Sequence, residues 1–262
     1  MTRLTSCADA EGASRRAATE IARRLESARR ERGVAHLALS GGSTPARTYE
    51  LLAHELEHWE EVEVWFADER CVGPEDEQSN YRLANEALLS RAAGIAADHV
   101  HRMEGELGPQ QGARRYAQQL REHVPAQAET PVGARGVDRV SERPEKGPAE
   151  ALPVLDLVVL GIGPDGHIAS LFPGAAALDA GEQELCLGVQ DSPKPPPERI
   201  TLSLPVLRAA RRCLLLATGA GKADAVNAML AEPTRHVPAS LLRRERLTVI
   251  VDDAASPTPA RR

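Results

Sequence analysis

The sequence predicts one α/β domain over residues 1–262, with a doubly wound, mostly parallel sheet and helices on both faces. Three observations lead to this fold class. Short apolar runs of strand length alternate with segments of helical periodicity along the chain. The 262 residues are 42 % hydrophobic, which suffices for a sizeable core. Only 3 % are aromatic, so Leu, Val, Ile and Ala must supply most of that core.

The clearest element of the first half is a helix at residues 13–32, where apolar residues such as Ile21 and Leu25 recur at helical spacing. Gly33 follows as its C-terminal cap. The other patterns predict, in order, a strand at 35–39, a helix at 45–57, a strand at 62–67, a helix at 79–92, a short strand at 100–103 and a helix at 110–122.

Residues 124–153 differ in character from the rest. Pro, Gly, Glu, Arg and Ala dominate, and the apolar periodicity disappears. The segment is typical of a flexible surface loop. Because strands and helices alternate again after it, we interpret it as an insertion within the domain. The later patterns predict strands at 155–160, 185–189, 199–202, 212–217 and 247–251, and helices at 221–230 and 239–243.

Composition and charge exclude several classes of protein. The net charge of −6 and the lack of basic runs interleaved with aromatic residues argue against nucleic-acid binding. Residues 1–24 lack the apolar core of a signal peptide, and no run approaches the ~18 apolar residues of a membrane span. The four cysteines are scattered and show no metal-ligand spacing, so we expect free thiols, no metal and a cytoplasmic location.

The run at residues 160–170 (Leu-Gly-Ile-Gly-Pro-Asp-Gly-His-Ile-Ala-Ser) carries the strongest functional signal. It follows a predicted buried strand, and ligands of open α/β sheets bind at such carboxyl ends. Gly163 lets the backbone approach a ligand, and His167 beside Asp165 is suited to general-base work near neutral pH. The structural alternatives are a helix cap for Asp165 and a structural histidine.

The turn at residues 40–45 (Ser-Gly-Gly-Ser-Thr-Pro) joins a predicted strand to a predicted helix. Gly41, Gly42, Ser43 and Thr44 surround free backbone N–H groups at the helix start, which is suited to binding an anion. The alternative is a tight turn in which Ser43 or Thr44 only caps the helix. The turn is neither a P-loop nor a dinucleotide fingerprint, so no nucleotide is implied.

Basic residues near other strand ends are candidates for binding a phosphate or a developing oxyanion. Arg70 follows Asp68 at the end of the second long strand, although the pair could be an ordinary surface ion pair. Arg199, at the start of a strand, is a weaker candidate. For His236 a structural role is favoured.

Lysine is scarce, which draws attention to each of the three. Lys222 enters a predicted helix after two glycines, where it can hold a phosphate as a point charge, although a solvated helix lysine is the alternative. Lys146 and Lys194 lie in Pro-rich segments, and we assign them no role.

Together these motifs resemble the glucosamine-6-phosphate isomerase/6-phosphogluconolactonase family, in order along the chain from about residue 37 to 251. The matching runs are Ser40-Gly41-Gly42-Ser43-Thr44-Pro45, Asp68-Glu69-Arg70, Ser79-Asn80-Tyr81-Arg82, residues 161–174, Arg199-Ile200-Thr201-Leu202 and Gly221-Lys222. No single run is specific, but the set is.

The resemblance implies a Rossmann-like fold and hydrolysis of 6-phosphoglucono-δ-lactone without a cofactor or metal. It implies catalytic roles for His167, Asp165 and Arg70, with His167 activating water. The expected partner is a sugar-phosphate lactone, with neither nucleic acid nor membrane, and the expected state is a monomer or weak dimer. The implied substrate-binding residues are Gly41, Gly42, Ser43, Thr44, Asp68, Arg70, Gly163, Arg199 and Lys222.

Two alternatives stay open. The deaminases of the resembled family carry a glutamate five residues beyond the histidine, where this chain has Phe172, and usually a tyrosine where it has Arg70. Phe172 cannot accept a proton, so both differences favour lactone hydrolysis over deamination. The second alternative is a non-catalytic sugar-phosphate sensor, and an intact His167 beside Asp165 argues against it.

Overall fold

The computed structural model describes residues 2–127 and 151–257. Its strands and α-helices, in chain order, are β1 (Arg3–Cys7), α1 (Ala10–Arg32), β2 (Ala35–Leu39), α2 (Ser43–Glu55), β3 (Val62–Phe66), β4 (Asp68–Arg70), α3 (Asn80–Ala84), α4 (Pro109–His123), β5 (Ala126–Gln127), β6 (Leu152–Pro153), β7 (Leu157–Gly161), β8 (Cys186–Val189), β9 (Arg199–Leu202), α5 (Leu204–Ala209), β10 (Cys213–Ala217), α6 (Ala223–Leu230) and β11 (Leu247–Asp252).

The central sheet has six strands in the order β1-β11-β10-β7-β2-β3, and every neighbouring pair is parallel. From β2 the chain runs outward to β3, whereas from β7 it runs the other way through β10 to β11. The direction of winding therefore reverses between β2 and β7, and a crevice opens there beyond the carboxyl ends of the strands. The predicted parallel α/β fold is confirmed.

A second, antiparallel sheet of order β4-β9-β8 lies beside the first. In it Asp68 is opposite Thr201 and Arg70 is opposite Arg199. The sequence analysis placed Asp68 and Arg70 at the end of the second long strand, but they form a short strand of their own. This pairing fixes the backbone of three predicted site residues.

The helices and the core follow from the apolar pattern. Asp9 caps the amino end of helix α1, because its carboxylate accepts a hydrogen bond from Gly12 N at 2.7 Å; the helix packs against α2 and the central strands. Strands β2 and β10 are buried along their whole length, as expected for a sheet covered on both faces. Within the described residues, no helix is both long enough and apolar enough to cross a lipid bilayer.

Most predicted elements are confirmed within two or three residues, with a few differences. The strand predicted at 100–103 is wrong, because only Val100 makes a bridge, to Val64. The helix predicted at 79–92 is the short α3 followed by a π-helical turn, and the helix at 239–243 is a 3-10 turn. Helix α5 and strands β1, β4, β5 and β6 were not predicted, and the pair β5–β6 lies at the two ends of the segment 124–153 interpreted as a loop. Residues 128–150 of the predicted insertion lie outside the described residues, so its flexibility and the single-domain organisation stay predictions.

Gly33 ends α1 with a positive φ of 83°, and its N–H donates to Arg29 O. A methyl group there would touch nothing within 4 Å, so backbone strain alone opposes a side chain. We expect Gly33→Ala to lower the free energy of unfolding by about 1–2 kcal/mol, measured by urea denaturation. Gly73→Ala is the control, because Gly73 is equally open and has no positive φ. Equal stability of the two variants would contradict the prediction.

Candidate active site

A polar cavity of about 330 Å³ opens at the point where the winding of the central sheet reverses. Its walls are the turns after β2, β7 and β10, the ends of β4 and β9, and the segment 190–198 between β8 and β9, here called the proline loop. Among the described residues, no three His, Cys, Asp or Glu side chains form a group that could hold a metal ion.

The amino end of α2 forms one wall of this cavity. Gly42 precedes the helix with φ 115°, and no side chain caps the helix end. The capping alternative for Ser43 or Thr44 therefore does not apply. Both residues line the cavity, and the first N–H groups of a helix are suited to binding an anion. Thr44 Oγ1 lies 2.9 Å from Thr218 Oγ1, which ties this turn to the turn after β10.

His167 and Asp165 form a close pair in the turn after β7. The distance from His167 Nδ1 to Asp165 Oδ1 is 2.5 Å. Gly163 makes the pair possible, since a Cβ there would lie 2.0 Å from His167 Nδ1 and 2.4 Å from Asp165 Oδ1. With Nδ1 donating to the carboxylate, the other ring nitrogen, Nε2, is the acceptor.

The surroundings favour a neutral histidine beside an ionised aspartate. Burial lowers the pKa of His167, and this effect outweighs the hydrogen bond and negative charge of Asp165, which raise it. Burial raises the pKa of Asp165, but the interactions with His167 and Lys194 lower it more, so the pKa of Asp165 is lowered overall. The imidazole is therefore in the form that can accept a proton.

Asp68 is buried and held by protein groups. Its Oδ2 accepts a hydrogen bond from Ser170 Oγ at 2.7 Å, and its Oδ1 accepts one from Asn80 Nδ2 at 3.1 Å. Ser170 lies three residues after His167, so this contact brings β4 beside the histidine turn. Asn80 also packs against Gly41, where a Cβ would lie 1.8 Å from its Oδ1.

Arg70 lines the cavity from the same side of β4 as Asp68, because alternate residues of a strand face one way. Its Nη1 donates to Gln78 O at 2.6 Å. Its Nε is buried without a partner among the described residues. The guanidinium is thus anchored at one nitrogen and keeps further donors for a ligand.

Lys222 reaches the cavity from the turn after β10. Its Nζ donates to Ile162 O at 2.7 Å, which leaves two protons of the ammonium group for a ligand. Burial lowers its pKa, as does the nearby charge of Lys194. The turn itself is fixed by Asp252, whose two carboxylate oxygens accept from Gly219 N at 3.0 and 2.9 Å.

Arg199 lines the cavity, but most of its donors bind protein. Its Nε donates to Pro196 O, and its Nη2 donates to Lys194 O and Pro195 O, all at 3.1 Å. The guanidinium also stacks over Phe172, 5.7 Å from the ring centroid, a cation–π geometry. Arg199 therefore fastens the proline loop.

Lys194 lines the cavity, although the sequence analysis assigned it no role. Its Nζ lies 3.3 Å from His167 Nδ1 and 3.4 Å from Asp165 Oδ1. The Pro-rich composition of the segment hid it, because such composition is typical of solvent-exposed linkers. The scarcity of lysine was a usable signal, and it was applied only to Lys222.

The structure brings nearly all predicted site residues to one cavity. Asp165 joins them through its contact with His167, whereas His236 is exposed and outside the lining. Their roles stay predictions. The predicted residues in the lining are Gly41, Gly42, Ser43, Thr44, Asp68, Arg70, Gly163, His167, Arg199 and Lys222.

Known proteins match almost the whole chain. A family model described as glucosamine-6-phosphate isomerases/6-phosphogluconolactonase matches residues 8–251. A probable 6-phosphogluconolactonase of Schizosaccharomyces pombe is 37 % identical over 249 residues, covering 90 % of this chain and 88 % of that protein. The 6-phosphogluconolactonase of Homo sapiens is 34 % identical over 231 residues, covering 84 % and 79 %. The 6-phosphogluconolactonase structure from Trypanosoma cruzi superposes with a TM-score of 0.80 at 28 % identity, covering 97 % and 96 %.

Proposed function

The chain belongs to the glucosamine-6-phosphate isomerase/6-phosphogluconolactonase family and is an enzyme of its lactonase branch, and we propose that it hydrolyses 6-phosphoglucono-δ-lactone to 6-phosphogluconate with His167 as the general base. This reaction belongs to the oxidative pentose phosphate pathway. The observation that carries the proposal is the His167–Asp165 pair, 2.5 Å apart, in a cavity that is also lined by the amino end of α2 and by several cationic side chains. A cytoplasmic location and a monomeric or weakly dimeric state remain predictions.

In the proposed mechanism, Nε2 of His167 takes a proton from a water molecule as the water oxygen attacks the lactone carbonyl. Asp165 holds the Nδ1 proton and stabilises the imidazolium that forms. The tetrahedral intermediate then collapses, the bond to the ring oxygen breaks, and the proton passes to that oxygen. General-base catalysis contributes about 10²–10⁴-fold, and stabilisation of the oxyanion adds a few kcal/mol.

We assign the phosphate to the amino end of α2 together with Lys222. The contact of Thr44 with Thr218 supports this, because it draws the helix end and the lysine turn together. We assign Arg70 to the developing oxyanion, because the Asp68–Ser170 hydrogen bond brings β4 beside the turn that carries His167. Both ends of the substrate are then met by positive charge.

Phe172 supports hydrolysis over deamination. Its ring centroid lies 4.6 Å from that of His167, and the side chain is buried. An apolar ring at this distance offers the histidine no second proton carrier. A base with a single carboxylate partner suits the activation of one water molecule. Repeated proton transfers along an open-chain sugar need a second group that can accept and donate protons.

The experiment that tests the proposal measures the disappearance of freshly made 6-phosphoglucono-δ-lactone with purified protein, with the spontaneous hydrolysis subtracted. A parallel assay measures ammonia released from glucosamine 6-phosphate. We expect rapid lactone hydrolysis and no ammonia. Ammonia release without lactone hydrolysis would replace the proposal with a deaminase, and binding of 6-phosphogluconate without either reaction would indicate a sensor.

Lys222 gives a prediction about substrate choice. Lys222→Met removes a charge-assisted contact, worth about 1.5–3 kcal/mol, so kcat/KM for the phosphorylated lactone should fall by roughly 10–150-fold. With unphosphorylated glucono-δ-lactone the fall should stay below about threefold, because no phosphate is present. Lys222→Arg keeps the charge and should recover part of the loss. Equal losses on both lactones would contradict the phosphate assignment.

A further inference from the structure

The ammonium group of Lys194 lies beside the catalytic pair without belonging to the proposed water-activating step. Its Nζ can donate to Asp165 Oδ1, 3.4 Å away, the same oxygen that meets His167 Nδ1. It cannot donate to Nδ1 when that nitrogen carries its own proton, so the carboxylate is its natural partner. Lys194 and His167 therefore share one carboxylate oxygen.

The proline loop holds Lys194 in this place by its backbone. Lys194 O accepts hydrogen bonds from Ser192 Oγ at 2.9 Å and from Arg199 Nη2 at 3.1 Å, and Lys194 N donates to Ser192 Oγ at 3.2 Å. Arg199 and Ser192 are buried, so both ties are sheltered from solvent. The backbone of Lys194 is fixed on both sides, and the side chain starts from a defined point near the pair.

We propose that Lys194 is a positioning residue that neutralises part of the charge of Asp165 and so keeps Nε2 of His167 unprotonated, which extends catalysis to lower pH. The inference rests on the proposed function, since it takes His167 as the base. It adds a third member to the pair, one that acts through Asp165 and His167.

The electrostatic effects on His167 have the direction that the proposal requires. Burial lowers the pKa of His167 most, the hydrogen bond and charge of Asp165 raise it, and the positive charge of Lys194 lowers it further. Removing that charge should raise the pKa, so a larger fraction of His167 would be protonated and inactive at a given acidic pH. The other charged groups of the cavity stay in place in such a variant: Asp165, Asp68, Lys222, Arg70 and Arg199.

The test compares Lys194→Met and Lys194→Arg with the parent protein. We measure kcat/KM for the lactone from pH 5 to 8, and follow the His167 imidazole resonances by NMR over the same range. For Lys194→Met the acidic limb and the NMR midpoint should both move to higher pH. Activity on the acidic limb, relative to the plateau, should fall by roughly threefold or more. Lys194→Arg should restore both.

Arg30→Met is the matched control for loss of one positive charge. Arg30 lies near the end of α1, which leads into the amino end of β2, whereas the cavity lies at the carboxyl ends of the strands; its side chain is 71 % exposed. The Arg30→Met variant should leave the acidic limb of kcat/KM and the NMR midpoint of His167 unchanged. A raised KM for Lys194→Met with an unmoved acidic limb and NMR midpoint would overturn the inference, because Lys194 would then only bind substrate. Full activity in His167→Asn would instead overturn the proposed base, so the two failures are distinguishable.

Discussion

Replacing His167 with asparagine is expected to lower kcat for the lactone by about 10²–10⁴-fold. Asparagine can keep a hydrogen bond to Asp165, but its amide cannot accept the proton of the attacking water. KM should change little, since the amino end of α2 and Lys222 remain available to the phosphate. The measurement is steady-state hydrolysis at saturating lactone, corrected for the spontaneous reaction.

His236→Asn is the matched control for the loss of an imidazole. His236 is exposed and does not line the cavity, so kcat should stay at the parent value. Circular dichroism on both variants establishes that they fold. If His167→Asn folds and still hydrolyses the lactone at the parent rate, the general-base assignment is wrong.

A single methyl group at Gly163 should separate the catalytic pair. In Gly163→Ala the new Cβ would lie 2.0 Å from His167 Nδ1 and 2.4 Å from Asp165 Oδ1, so both side chains must move. A displacement of about 1 Å in a catalytic group costs on the order of 10²-fold in rate, and we expect a loss of that size in kcat. The displaced atoms belong to partly exposed side chains, so the free energy of unfolding should change by less than about 1 kcal/mol.

Gly161→Ala is the control at the carboxyl end of β7, two residues before Gly163. A Cβ at Gly161 would meet nothing within 4 Å, so this variant tests the added methyl group without the collision. We expect it to lose less than about threefold in kcat. A large loss in both variants would mean that the turn tolerates no side chain at all, which contradicts the steric explanation. If Gly163→Ala alone lost much of its stability, its lower kcat would be due to destabilisation of the fold and not to displacement of the catalytic pair.

The parallel sheet was predictable because its strands are short apolar runs. Strands such as β2 and β10 are buried on both faces, so burial leaves a continuous signal in the sequence. Strand β4 has no such signal, because its three residues are Asp, Glu and Arg. It becomes a strand only by pairing with β9, which lies about 130 residues further along the chain.

The site residues were predictable where one short turn contains both the glycines and the functional groups of the site. The anion-binding turn before α2 and the His167 turn each carry their glycines and functional groups within a few residues. The roles of Arg199 and Lys194 depend on the path of the proline loop, which no periodicity encodes. Arg199 was expected to bind substrate, which stays a prediction; it lines the cavity, and three of its hydrogen bonds go to carbonyls of that loop.

Phe172 makes the chemistry of this cavity hard to change by a single substitution. A glutamate there would enter a buried space between His167 and the guanidinium of Arg199. The permanently charged guanidinium would attract the new carboxylate, and this attraction would compete with the hydrogen bonds from Arg199 to the backbone of the loop that carries Lys194. In evolution from hydrolysis to sugar isomerisation, a glutamate at position 172 would therefore disturb the proline loop unless residues of that loop changed as well. We expect the two changes to be epistatic.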